Sequence, residues 1–470
     1  MRIRRRILAS AAVLFLFLAA YVLAAACPYL EHRQVSQEFR EQIGRTEFYG
    51  DGPGGERVAY VDDNTQALHL RLQMIESARE EVILSTFDFN DDESGKDMLS
   101  ALRHAAGRGV QVKILVDGLS GFLDLRGSEW FQALALEENV RIRVYNPVDL
   151  LKPWRLQARL HDKYLMVDDR LYLLGGRNTT DLFLGDYSQK PNIDRELLVY
   201  RKEQSENDSF CQLNAYFDQV WELACSREYV CGEETEKIKE AADRLEERYE
   251  QLTDRWPQIR TEPDWETLTM ETEKITLLSN PVEPKNKAPH MWYALNQLMG
   301  SGERITIYTP YIICGEEMYR DLEQLCDDTE QVEIITNDAA GGANPWGCTD
   351  YMNQKERIWA TGVTVYEYLG DHSLHTKAVL VDDRISVVGS YNMDMRSTYQ
   401  DTELMLAVDS RELNERIREE AARDKTFSRY RTSGDRYVSG ENYRPKELSW
   451  QKKLYYGLFR VITVPIRKFL

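Results

Sequence analysis

Two stretches of this 470-residue chain carry the same polar residues at the same spacing. Residues 160–178 read LHDKYLMVDDRLYLLGGRN, and residues 374–392 read LHTKAVLVDDRISVVGSYN. The first supplies His161, Lys163, Asp168, Gly176 and Asn178. The second supplies His375, Lys377, Asp382, Ser390 and Asn392. A His and a Lys two apart in a strand point to one face. The apolar residues after them continue a strand, the Asp-Asp-Arg triplets read as hairpin turns, and a return strand leads into Gly-Gly or Gly-Ser. Small residues there let backbone come close to a bound group, beside which each Asn would stand as a neutral donor.

This set of residue types suits phosphate chemistry. Lysines neutralise the oxyanion, and Asn with small-residue backbone donates hydrogen bonds. One His attacks phosphorus, and the other protonates the leaving oxygen, then activates an incoming alcohol or water. Histidine suits both tasks because its ordinary pKa is about 6.5. The pattern asks for no metal and no cofactor, and the cysteine spacings fit no zinc pattern. A single His-Lys pair would be an ordinary hairpin feature; two complete copies are hard to explain as anything but a site.

The two motifs resemble the HKD motifs of the phospholipase D superfamily, and two copies in one chain resemble its cardiolipin synthase-like branch, over roughly residues 55–430. The resemblance implies a phosphohistidine intermediate and one shared active site between two repeats. It maps the nucleophile onto His161 and the general acid/base onto His375. It maps phosphate binding onto Lys163, Lys377, Asn178 and Asn392, with Gly176 and Ser390 beside them. Family members also use an acidic residue further along each repeat to orient its His, a role that Glu196 and Glu403 fit. Asp168 and Asp382 belong to the motif, with bracing of the hairpin turns as their expected part. The activity implied is phosphatidyl transfer, with a phospholipid as donor and phosphatidylglycerol as acceptor. Alternatives are hydrolysis with water as acceptor, an exported nuclease and a non-enzymatic envelope protein.

The elements that must hold these residues alternate. Helix signals at residues 66–79, 95–107 and 130–137 interleave with strand signals at 82–89, 110–116 and 140–145. The second half repeats this with helices at 291–299, 316–326 and 351–361 and strands at 304–311, 332–336 and 363–368. Such alternation indicates an α/β architecture. The expected fold is a phospholipase D fold of two repeated α/β domains, each a central mixed sheet flanked by helices. A period of about 215 residues is far longer than a solenoid unit and reads as duplication of a whole domain. The domains are placed at 56–232 and 273–430, with a charged helical connector at 233–272.

Arg2, Arg4, Arg5 and Arg6 precede an uncharged run from Ile7 to Ala26, long enough to span a bilayer. Residues 1–27 are read as a signal anchor, with the catalytic body outside the cytoplasm by the positive-inside rule. A cleaved signal peptide or lipidation at Cys27 would be the alternatives. Residues 28–55 look like a linker ending in Gly50-Asp51-Gly52-Pro53-Gly54-Gly55. Residues 431–470 form a tail whose segment 450–470 mixes aromatic, aliphatic and basic residues. It would lie in a membrane interface or pack on the body. The net charge of −19 argues against a nucleic-acid partner; phospholipid substrates are what the resemblance implies, and the two apolar segments point to a membrane. Hydrophobic residues at 43% suffice for two cores. Six cysteines in the body permit disulfides, with free thiols as the alternative.

Overall fold

Strands buried on both faces need near-continuous apolar runs, as in Val-Ile-Leu at 82–84 and Ile-Leu-Val at 114–116. Glu81–Thr86 (EVILST), Gln111–Asp117 (QVKILVD) and Val140–Tyr145 (VRIRVY) pair in parallel in that order. The computed structural model describes residues 2–432, 434 and 436–470. It leaves aside the side chains of residues 2–9 and 11, so the expected arginine flank of the span lies outside the described residues.

The motif hairpin, Tyr164–Val167 with Leu171–Gly175, joins Glu81–Thr86 antiparallel. Glu196–Arg201 and Glu56–Val61 extend the sheet, and Met270–Glu271 and Ser226–Glu228 form its edges, giving nine strands. The second repeat builds the same sheet. Its order is Lys274–Ser279, Leu404–Asp409, Ile385–Gly389, Ala378–Val381, Arg304–Tyr308, Gln331–Asn337, Thr364–Tyr368, Ser428–Arg431 and Tyr437–Ser439. Parallel and antiparallel pairings match strand for strand through the shared centre. This is the duplicated α/β architecture expected.

Helices cover the outer faces. Glu93–Gly107 is capped by Asp92, which accepts from the Gly95 amide at 3.0 Å. In the second repeat Asn344 caps Pro345–Ala360, so this helix starts six residues ahead of the periodic signal at Tyr351. Each outer layer has its own apolar core. A third core lies between the repeats and holds Tyr60, Leu174 and Phe217 of the first with Ile275, Tyr308 and Leu406 of the second. The helices Ser209–Trp221 and Arg411–Thr426 contribute Phe210, Leu213, Leu413 and Ile417 to it.

Two segments expected to be loosely attached are packed. Residues 28–55 contain the helix Gln37–Arg45, and Ile43 and Phe48 are buried in the second repeat's core. Phe39 stacks on His290 with ring centroids 3.7 Å apart, and His32 stacks on Tyr399 at 4.1 Å. In the connector, helix Glu236–Arg255 buries Ile238, Ala241, Leu245, Tyr249 and Leu252 against the first repeat. All seven cysteines are free thiols.

The N-terminal helix Arg2–Ala26 is followed by a short turn of 3-10 helix, and the stretch Ala12–Tyr29 has mean hydropathy 2.1 with 6% of it buried. It is long and apolar enough to cross a membrane. The tail forms a helix, Trp450–Ile466, on the second repeat.

Candidate active site

His161 and Lys163 stand just ahead of the strand Tyr164–Val167, and His375 and Lys377 just ahead of Ala378–Val381. The pairs were expected within strands; they lie on the approach to them. Lys163 and Lys377 each donate from Nζ to the carbonyl of the histidine two residues before. The far end of each hairpin is fixed by its aspartate. Asp168 accepts from the amides of Arg79, Glu80 and Glu81 at 2.7–2.9 Å, and Asp382 from those of Glu303 and Arg304 at 2.9 Å. Both have positive φ, which the turn requires. They brace the hairpins at the end opposite the histidines.

Each histidine is held by the other repeat. The Nδ1 of His161 lies 2.9 Å from Oε1 of Glu403, and its amide donates to the Thr402 hydroxyl at 3.1 Å. The Nδ1 of His375 lies 2.6 Å from Oδ2 of Asp194, and its amide donates to the Ile193 carbonyl at 2.6 Å. A short parallel ladder, Asn192–Ile193 with Ser373–Leu374, joins the repeats beside this contact. Tied at Nδ1, the His161 ring leaves Nε2 for chemistry, whereas Nζ of Lys377 lies 2.5 Å from Nδ1 and 3.1 Å from Nε2 of His375.

The expected partner Glu196 is elsewhere. Its carboxylate is clamped by Arg71 in two hydrogen bonds of 2.6 and 2.7 Å, with Arg177 at 3.4 Å, all buried. The error is one of register. Matching Glu-Leu-Leu to Glu-Leu-Met aligns Glu196 with Glu403. In the sheets, however, Gly175 pairs with Glu196, whereas Gly389 pairs with Met405. Asp194 is therefore the structural counterpart of Glu403. A shift of two residues keeps both carboxylates on the same face. Both strands are preceded by an Asp-x-Glu sequence, and this was the signal that could have admitted Asp194.

The small residues of the motif serve these carboxylates. A Cβ on Gly176 would stand 2.4 Å from Oδ2 of Asp194, so only glycine fits. Ser390 donates from Oγ to Oε2 of Glu403 at 2.5 Å. Both positions were expected to approach a bound phosphate; the structure packs them against the orienting acids. The side-chain amides of Asn178 and Asn392 bond to no other described residue, and each oxygen is buried without a partner. Two such amides are free for a ligand.

Burial dominates the electrostatics. Lys163 and Lys377 are 2% and 0% exposed. Burial lowers Lys163 to about 7, and it also lowers Lys377. His161 is held well below 6.5 by burial and then by Lys163, and His375 falls to about 4 by burial and Lys377. The acids diverge. Burial pushes Glu403 up to about 8, only partly offset by Lys163 and Ser390. Burial also opposes ionisation of Asp194, but Lys377 and His375 overcome it and hold that carboxyl well below the usual range. Phe87 meets the edge of His161 at 5.5 Å, and Phe183 that of His375 at 4.9 Å. A cavity of 210 Å³ lined by Tyr311, Asn344 and Ser373 opens beside His375.

Paired histidines on duplicated hairpins, each oriented across a repeat boundary and flanked by buried lysines, define an enzyme of the phospholipase D type. The family described as cardiolipin synthase, PLD-like domain, matches residues 72–221 and 294–425, together more than half of the chain, and the chain belongs to it. Cardiolipin synthase C of Escherichia coli strain K12 is 27% identical over 406 residues, which is 78% of this chain and 84% of that one. Cardiolipin synthase 1 of Bacillus anthracis is 25% identical over 371 residues, 74% of this chain and 63% of that one. The crystal structure of phosphatidylserine synthase from Haemophilus influenzae Rd KW20 superposes with a TM-score of 0.64 at 13% identity, covering 92% of this chain and 99% of that one. At that identity it bears on the fold, which it shares.

Proposed function

We propose that the chain transfers a phosphatidyl group between phospholipids, with cardiolipin as product. The observation that carries the reading is the crossed pair of oriented histidines, set beside two buried lysines in a chain of this family. Nε2 of His161 attacks phosphorus of the donor lipid, forming a P–N bond. The P–O bond to the head-group alcohol breaks, and His375 gives that oxygen its proton. A hydroxyl of the acceptor, phosphatidylglycerol, then loses its proton to His375. Its oxygen attacks phosphorus, the P–N bond breaks, and both histidines return to their starting states.

The two acids support this division of labour. An ionised Asp194 at Nδ1 pulls His375 toward the imidazolium form that an acid needs, offsetting part of the burial and Lys377 charge that lower this histidine to about 4. Glu403, raised to about 8, favours an uncharged His161, which a nucleophile needs. Lys163, Lys377, Asn178 and Asn392 would hold the phosphate oxygens. The N-terminal span would keep the body at a membrane, on the extracytoplasmic side by the positive-inside rule. The net charge of −19 weighs against nucleic acid as substrate.

The test is lipid analysis of vesicles incubated with the purified full chain, with and without phosphatidylglycerol. Cardiolipin appearing only with phosphatidylglycerol is the expected result. Phosphatidic acid as the sole product would instead make water the acceptor.

A further inference from the structure

We infer that the site mouth is ringed by a membrane-docking surface that two loops of the first repeat form with the exposed stripe of the tail helix. The partner it fits is the bilayer that carries the N-terminal span. This goes beyond the phosphatidyl-transfer reading and would stand if the acceptor were water.

The loops follow the carboxyl ends of two neighbouring parallel strands. Gly118–Leu125 leaves Gln111–Asp117, and residues 146–155 leave Val140–Tyr145. Phe87, just past the same end of Glu81–Thr86, touches His161, so this is the end of the sheet where the site lies. Both loops present large apolar side chains to solvent: Phe122 and Leu123 on one, Leu150, Leu151 and Trp154 on the other. Leu151 is 86% exposed and Leu123 64%. Apolar side chains clustered on a surface mark a contact with a partner.

The identity of that partner follows from continuity. The Tyr29 hydroxyl, at the end of the apolar stretch, donates to the Trp154 carbonyl at 3.0 Å, so the span leaves the body at this loop. The tail reaches the same place. Lys468 donates from Nζ to the Leu30 carbonyl at 2.9 Å, and Gln400 donates to the Lys468 carbonyl at 2.9 Å. On the tail helix, Trp450, Leu454, Leu458 and Val461 are exposed at helical spacing, and Tyr456 and Thr463 are buried on the opposite side. Trp346 packs on Phe459 at 4.3 Å, and Lys452 donates to the Ala340 carbonyl. Residue 340 lies in the loop after Gln331–Asn337, the carboxyl end of a central strand of the second repeat. Both repeats thus carry exposed apolar groups beside the carboxyl ends of their central strands, and the end of the span contacts one of these loops.

Charge selects the lipid. In a chain of net charge −19, the two loops and the tail carry Lys152, Arg155, Lys452, Lys453, Arg460 and Lys468 against Asp124 and Asp149, the latter paired with Lys152 at 3.2 Å. Cations beside an apolar surface favour anionic lipid. A lipid could then move laterally from the bilayer into the site without crossing water.

The experiment uses the full chain in nanodiscs of phosphatidylethanolamine and phosphatidylglycerol, in a background with the exposed Cys27 and Cys211 changed to Ser. An environment-sensitive fluorophore is placed at Leu123→Cys, Leu151→Cys, Leu458→Cys or Glu138→Cys. The last is a control at the opposite end of Val140–Tyr145, about 20 Å away by strand rise. We expect blue-shifted emission, quenched by lipid-borne spin labels, at the first three positions and water-like emission at Glu138. The shift should weaken when phosphatidylcholine replaces phosphatidylglycerol. Water-like emission at Leu123 and Leu151 would overturn the inference. So would a blue shift that lipid-borne labels leave unquenched, which would make a second copy of the chain the occupant. None of these readouts needs turnover, so a failed lipid assay leaves them intact.

Discussion

Glu403 and His161 are 242 residues apart in sequence and 2.9 Å apart in space, and neither repeat contains a complete site. Asp194 and His375 mirror the arrangement at 2.6 Å. The consequence is that catalysis depends on docking of the repeats. A mutation that loosens the core between them should disturb both histidines together.

Three acid substitutions separate orientation from stability. Glu403→Ala and Asp194→Ala remove the acid that holds Nδ1, and each should cost on the order of 100-fold or more in kcat, as for a misoriented catalytic histidine. Glu196→Ala instead leaves Arg71 and Arg177 buried without their carboxylate. It should destabilise the fold by about 3 kcal/mol or more and slow the surviving folded protein far less than the other two. Denaturant unfolding alongside kcat for all three variants checks this. A Glu196 variant of normal stability and abolished turnover would restore the role that the sequence match suggested.

The duplication, the alternation of helices and strands and the motif pairs were legible because each rests on local spacing. His161-x-Lys163 and His375-x-Lys377 announce themselves, and so do the apolar runs that follow. The crossing was not legible, because it is set by how two sheets dock and no local pattern encodes that. Asp194 was hidden by the two-residue offset between the ladders, which a sequence match cannot see. The packed segment 28–55 was missed because its buried apolar residues, Tyr29, Val35, Ile43 and Phe48, are sparse among polar ones. The tail divides the two readings made of it, with one face docked and the other exposed.

The pH dependence should follow Lys163. Its ammonium would bind the phosphate, and burial lowers it to about 7, so the active cation is lost as pH rises through about 7. His161 is held well below 6.5 and stays unprotonated to the acid side of neutrality. The profile of kcat/KM, which reports the free enzyme, should therefore decline above about pH 4 as His375 loses its acid proton, and steepen near neutral pH as Lys163 loses its charge. Lys163→Arg keeps a cation at every accessible pH. It should lower activity overall but move the alkaline limb upward. An alkaline limb unchanged by Lys163→Arg would assign it to another group.

The tail should be latched by Arg467. Its guanidinium donates to Asp350 at 2.9 and 3.0 Å, to the Cys314 carbonyl at 2.6 Å and to the Tyr319 hydroxyl at 2.9 Å. Asp350 is 1% exposed, so Arg467→Ala strands a buried carboxylate and should cost roughly 2 kcal/mol. Limited proteolysis should then release residues 450–470 ahead of the body. A tail equally protected in both proteins would show that the apolar contacts of Phe459 hold it unaided.

The histidines themselves carry the last prediction. Residue type cannot rank them, since both motifs contain His and Lys, but their carboxylates differ. The ionised Asp194 suits a proton donor at His375, and the raised Glu403 suits a neutral nucleophile at His161. His161→Ala should then abolish any covalent phosphoenzyme. His375→Ala should slow its formation by on the order of 100-fold and hurt least with a donor whose leaving group needs no proton. The double variant should lose little beyond the single ones, because the pair acts as one unit. Trapping labelled phospholipid on the protein and mapping the labelled peptide decides the matter. Label on His375 would reverse the roles. Turnover with label on neither histidine would replace the covalent route with direct displacement by the acceptor.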